Sequence, residues 1–223
     1  MAERAPTIYR RGTELVAMDA IALSQAITVK SVSCREVMTA FLDQIEQFNP
    51  KVNAIVSLRP RDALLAEADE RARELSQGRH RGWMHGFPHA VKDLAPARGL
   101  RTTWGSPLLQ MVPSEDAIFV ERIRQNGAII IGKTNVAELG MGSQSYNPIF
   151  GTTLNLYDLS KTAGGSSGGA AAALAFRMLP VADGSEWAPC VIPPHTTISS
   201  RSALLTDAYP PPRWNCFSAS CPS

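Results

Sequence analysis

At 223 residues with 44% hydrophobic side chains, the chain has enough apolar material for one large core or two small ones. Its 22 basic and 20 acidic residues are interspersed and leave a net charge of +2, which argues against nucleic acid or any other polyanionic partner. No apolar run approaches the roughly 18 to 20 residues of a membrane span, and residues 1–13 lack the apolar centre of a signal peptide, so no membrane is implied and the expected compartment is the cytoplasm.

In chain order, Ser33-Cys34-Arg35-Glu36 is a capping box, and Val37, Phe41, Ile45 and Phe48 recur at helical spacing until Asn49-Pro50, where the helix should end. The apolar run at 54–58, closed by Pro60, is the first candidate strand. Residues 61–77 read as a charged helix with Leu64, Leu65, Ala68, Ala72 and Leu75 inward and Gly78 as its stop. Residues 86–94 form a strand that carries Lys92, and 99–103 continue as an extended stretch. Ser114-Glu115-Asp116 should open a further helix, with Val120 and Ile123 inward and Asn126-Gly127 at its end. The apolar run 128–131 is a strand of the buried, parallel kind, and this alternation of helix and strand means an α/β fold.

Residues 127–134 also satisfy the G-x-x-x-x-G-K-[ST] phosphate-loop pattern, which raises a nucleotide-binding alternative. Its context is wrong, because the four middle residues are themselves the strand and Gly127 caps a helix. Residues 140–155 are a polar loop whose aromatic side chains are Tyr146 and Phe150, and 179–185 read as a strand ending in a turn. The cysteines, Cys34, Cys190, Cys216 and Cys221, lack zinc-site spacing, and Cys34 reads as a small buried apolar residue. His80, His85, His89 and His195 are joined by no second group of ligands, so no metal or cofactor is implied. His85 and His89 are expected to line a loop beside the Lys92 strand.

The strongest local signal is the run Thr162-Ala163-Gly164-Gly165-Ser166-Ser167-Gly168-Gly169, which passes straight into an alanine helix expected to reach about Met178. It is too short for a linker and leads into a helix, so it reads as a site. Together with Phe87-Pro88-His89-Ala90-Val91-Lys92-Asp93-Leu94 it resembles the amidase signature family, over residues 12–185. The resemblance implies a mixed sheet flanked by helices and hydrolysis of a small-molecule carboxamide by a Ser-Ser-Lys triad. Lys92 would be the base, Ser166 the bridging serine on a cis peptide bond, and Ser167 a support for the oxyanion region. The segment 132–139 is similar to the family's strand-to-helix junction, and 140–155 to the border of its acyl pocket.

The chemistry suits these residue types. A serine hydroxyl attacks an amide only when a neighbour takes its proton, and a lysine does so only when neutral, a form that burial favours. The family continues with a motif close to Gly-Ser-Leu-Arg-Asn-Pro-Ala, whose serine is the nucleophile, whereas this chain reads Trp187-Ala188-Pro189-Cys190-Val191-Ile192-Pro193-Pro194-His195. That stretch can be encoded so that the same bases, read two places later, spell Gly-Ser-Leu-Arg-Asn-Pro-Ala-Ala, and residues 198–210 permit a second such match. A frameshift near codon 186 is therefore expected. It divides the chain into a partial amidase-signature domain at 1–185 and a non-homologous, disordered tail at 186–223. It also makes the chain a truncated, inactive amidase; the alternative is a non-catalytic remnant or interaction protein.

Overall fold

The computed structural model describes residues 7–185. The tail from Glu186, with Cys190, His195, Cys216 and Cys221, lies outside the described residues.

Two short helices, α1 (Thr7–Ala17) and α2 (Ala20–Thr28), precede the long α3 (Cys34–Val52). The predicted capping box forms: Ser33 Oγ accepts from the Glu36 N–H at 3.1 Å, and the Glu36 carboxylate accepts from the Ser33 N–H at 2.8 Å. Val37, Phe41 and Ile45 are buried as expected, and Phe48 packs half-buried beside them. Pro50 does not end the helix, which runs to Val52. A proline this close to the end sacrifices only one bond of the ladder, and Asn53 closes the turn in the left-handed conformation by donating to the Asn49 carbonyl at 2.8 Å.

The next elements are β1 (Ile55–Val56), shorter than the apolar run, and α4 (Arg61–Ser76). Leu64, Ala68 and Leu75 of α4 are buried, Leu65 and Ala72 partly so, and Gly78 follows at a φ of +77°. Then come β2 (Pro88–Lys92), α5 (Ile118–Gln125) and β3 (Ile129–Thr134). In the stretch 99–103 only Thr102 pairs, through an isolated bridge to Met111. Helix α5 starts later than the Ser114-Glu115-Asp116 signal predicts. Asp116 is drawn away from a capping role: it accepts from the Arg98 N–H at 2.7 Å and pairs with Arg124 at 2.9 Å, so Ala117 takes the cap position without a side-chain bond.

The three strands form a mixed sheet in the order β1-β3-β2, with β2 parallel and β1 antiparallel to the central β3. Lys92 lies opposite Thr134 and Val91 opposite Lys133. Because side chains alternate along a strand, Lys92 and Lys133 leave opposite faces of the sheet. Where a strand-to-helix junction was expected after β3, the chain makes a single 3-10 turn at Glu138–Gly140. The loop 140–155 then folds into a small hairpin, β4 (Tyr146–Asn147) and β5 (Gly151–Thr152).

Helix α6 (Gly168–Ala175) packs against all three strands of the sheet. It stops short of Met178 because Arg177 turns left-handed and the Met178 N–H closes back on the Ala173 carbonyl at 2.8 Å. Phe176 at that end stacks obliquely on Phe48, ring centres 5.6 Å apart. The expected strand at 179–185 does not form; this segment reaches β2 through a side chain instead.

Candidate active site

Lys92, the last residue of β2, is 2% exposed and directs its amine at the loop that precedes α6. Its Nζ lies 2.9 Å from Ser166 Oγ and 2.7 Å from Ser167 Oγ. It also lies 2.9 Å from the Ser185 carbonyl and 3.0 Å from Ser185 Oγ. The Gly165–Ser166 peptide bond is cis. A charged amine satisfies three such acceptors. A neutral one donates two protons and accepts one from a hydroxyl, so the same cluster can take up a serine proton without rearrangement.

The loop is held by backbone approach and by one buried serine. A Cβ at Gly169 would sit 2.3 Å from the Asn135 nitrogen and 2.5 Å from its oxygen, so only glycine lets α6 begin against the end of β3. Ser145 is fully buried; its Oγ accepts from the Gly168 N–H at 2.8 Å and donates to the Ser166 carbonyl at 3.2 Å, while its N–H donates to the Gly164 carbonyl at 2.9 Å. Asn135 Nδ2 donates to Thr153 Oγ1 at 3.0 Å, and Asn147 Nδ2 donates to Asn135 Oδ1 at 2.7 Å. Residues 140–155 are therefore in part a scaffold for the serine loop, although Met141 and Tyr146 remain exposed.

Sequence reasoning did not single out Asp183. Its carboxylate accepts from the Lys92 N–H at 3.1 and 3.2 Å and lies 3.2 Å from Nε2 of His89. This clamp fastens the segment carrying Ser185 to the edge strand. The only signal in the sequence was an acid placed just before a Gly-Ser turn. His89, expected in a loop, is within β2 itself and fully buried. His85 does occupy the turn before β2. Its Nδ1 accepts from the Arg81 N–H at 3.2 Å, so its Nε2 carries the proton and donates to the Arg71 carbonyl at 2.8 Å. Burial holds its pKa below the usual imidazole value, in keeping with a neutral ring.

A second buried lysine occupies the other face of the sheet. Lys133 Nζ donates to the Ala95 carbonyl and lies 4.0 Å from Asp93, whose carboxylate accepts from Thr103 Oγ1 at 2.6 Å. Burial lowers the Lys133 pKa to about 8 against the pull of Asp93, and burial raises that of Asp93 against its hydrogen bonds from Thr103. Both shifts favour the neutral forms, so desolvation outweighs the mutual attraction here. The phosphate-loop pattern is thus strand: Gly132, Lys133 and Thr134 are rungs of β3.

Among the described residues, no group of three His, Cys, Asp or Glu side chains is arranged to hold a metal ion. Cys34 is buried, with its thiol pushed up to about 11 by desolvation. A charged cleft of about 500 Å³ lies away from Lys92, lined in part by Glu67, Arg71, Arg98, Asp116 and Arg124. Two of its four acids already face arginines, Glu67 with Arg59 at 3.0 Å and Asp116 with Arg124 at 2.9 Å, and Glu121 accepts from Gln125 at 3.2 Å, so the hydroxyl cluster is the better candidate for chemistry.

Residues 36–192 match the amidase family, slightly beyond Ser185, where the resemblance was expected to stop. The glutamyl-tRNA(Gln) amidotransferase A-subunit of Acidothermus cellulolyticus is 41% identical over 175 residues, covering 78% of this chain and 34% of the relative. Its counterpart in Alkaliphilus metalliredigens is 38% identical over 174 residues, covering 78% and 35%. Among solved structures, the peptide amidase of Stenotrophomonas maltophilia superposes with a TM-score of 0.67 at 33% identity, covering 73% of this chain and 35% of that one. A 6-aminohexanoate cyclic dimer hydrolase superposes at 0.66 and 27% identity, covering 75% and 33%. The chain thus spans about a third of the length of the relatives it matches.

Proposed function

The chain belongs to the amidase family, and we propose that its site is built to hydrolyse the C–N bond of a small carboxamide, with Lys92 as the base, Ser166 as the bridging serine and Ser167 as a support for the oxyanion region. The observation that carries this reading is the contact of Lys92 Nζ with both hydroxyls, at 2.9 and 2.7 Å, at the end of an apolar strand. Acyl transfer to water needs a general base and hydroxyls in reach, and neither role calls for a metal or cofactor. No helix among the described residues is long and apolar enough to cross a membrane. We place the protein in the cytoplasm.

We propose further that this chain turns over no amide. The sequence holds no Gly-Ser-Leu-Arg-Asn-Pro-Ala motif, so the family's nucleophile and the oxyanion amides beside it are not encoded, and Lys92 and Ser166 serve no amide-cleaving step. A shifted frame at residues 187–195 accounts for the loss. The test is release of an aryl amine from a simple aryl amide by the purified chain, beside Lys92→Ala. The expected result is no release above background from either protein. Release that Lys92→Ala abolishes would refute the inactivity while upholding the roles of Lys92 and Ser166. Resequencing the coding DNA from codon 180 onward checks the frame: a shifted frame spelling Gly-Ser-Leu-Arg-Asn-Pro supports it, and its absence removes it.

A further inference from the structure

We propose that Ser185 is a reactive nucleophile in this chain, activated by Lys92 and able to take an acyl or sulfonyl group from an activated donor such as an aryl ester or a sulfonyl fluoride. The proposal rests on Lys92 acting as a base, and not on amide turnover.

Three hydroxyls surround the amine of Lys92, and access separates them. Ser166 is 4% exposed and Ser167 half-buried, whereas Ser185 is exposed while its Oγ still lies 3.0 Å from Nζ. An electrophile arriving from solvent meets Ser185 first. The hydroxyl is also well fixed. The Ser185 N–H donates to Ser167 Oγ at 3.2 Å, and its carbonyl accepts from Lys92 Nζ at 2.9 Å. Two residues upstream, Asp183 ties the same segment to the Lys92 N–H and approaches His89. Holding a nucleophile and its base in contact turns activation into an intramolecular step.

The bond changes balance. The Ser185 hydroxyl proton moves to the neutral amine of Lys92, directly or across Ser166. The Ser185 oxygen bonds to the acyl carbon of an aryl ester, the carbon–oxygen bond to the aryl group breaks, and the aryloxide leaves and takes a proton from the Lys92 ammonium. With a sulfonyl fluoride an oxygen–sulfur bond forms, fluoride departs, and the proton passes from Lys92 to water. These leaving groups depart without the stabilisation that an amide requires, so the step survives the loss of the family's nucleophile motif.

The probe is phenylmethanesulfonyl fluoride on the full chain, followed by intact mass and peptide mapping. The expected result is one adduct per chain, on Ser185, absent in Ser185→Ala and slowed by about 10²-fold in Lys92→Met, as for loss of a general base. Lys92→Arg keeps the positive charge and the donors but cannot act as a base, and it should be slowed alike; it serves if Lys92→Met fails to fold. The absence of any adduct, an adduct on Ser166 or Ser167, or equal labelling in Lys92→Arg overturns the proposal. Amide release in parallel separates the two readings: release that depends on Lys92 without Ser185 labelling leaves the base standing and removes Ser185.

Discussion

Lys92 and Lys133 sit on adjacent strands, both buried, and leave opposite faces of one sheet, yet their surroundings differ in kind. Lys133 meets a carbonyl and a carboxylate, groups that accept from its ammonium and offer no hydrogen-bond donor to its neutral form. Lys92 meets three hydroxyls and a carbonyl, and a hydroxyl can donate a hydrogen bond to a neutral amine as well as accept one from a charged one. Burial alone therefore does not set the two lysines apart; on the proposed reading, what singles out Lys92 as a base is the set of hydroxyls around it.

The contrast breaks most visibly at Asp93. Asp93→Ala strips Lys133 of its nearest carboxylate and Thr103 of its acceptor, and should lower the free energy of unfolding in urea by about 3–5 kcal/mol, as for breaking a buried pair. A change below about 1 kcal/mol would mean that Lys133 needs no counter-charge, and the distinction would fall.

A smaller effect lies in the pH dependence. An amine held at about 8 in the folded chain and near 10.5 in the unfolded one binds fewer protons when folded across that window. The Lys133 contribution therefore makes stability rise from about pH 8 towards 10.5, by at most about 1.4 kcal/mol per pH unit. Cys34 works the other way above pH 9, since its folded thiol stays protonated up to about 11. Lys133→Met should flatten the rise while leaving the Cys34 part unchanged, so the difference between parent and variant is the quantity to measure; a difference that does not change with pH would show that Lys133 titrates normally.

The smallest shift is expected at Lys92. Lys92→Met leaves serine hydroxyls next to the exposed Ser185, where water can replace the amine, so unfolding should move by less than about 1 kcal/mol. A loss as large as that of Asp93→Ala would place Lys92 among the structural lysines.

What could be read from the chain followed the reach of local signals. The capping box at Ser33, the inward face of α3 and the stop at Gly78 depend on neighbours within a few residues, and they form as expected. Lys92 and Ser166 were legible as a pair because each lies in a distinctive run of residues. Asp183 and Ser145 were not: each is a single polar residue in an irregular segment, and its importance comes from partners far along the chain. The run Ser114-Glu115-Asp116 misled for the same reason, since a serine followed by two acids has the look of a helix start until Arg98 and Arg124 claim Asp116.

The strand order has a temporal side. β1 and β2 are not neighbours in the sheet; each pairs with β3, so no rung of this sheet can form until residue 129 has been synthesised, and β1 gains its partners only with residues 133 and 134. Lys92 then waits for Ser166, 74 residues downstream, and for Asp183, 91 residues downstream. Contacts closed over such spans come late and slowly. For that interval a newly made β2 is an edge without a neighbour, a segment of the nascent chain open to wrong pairing.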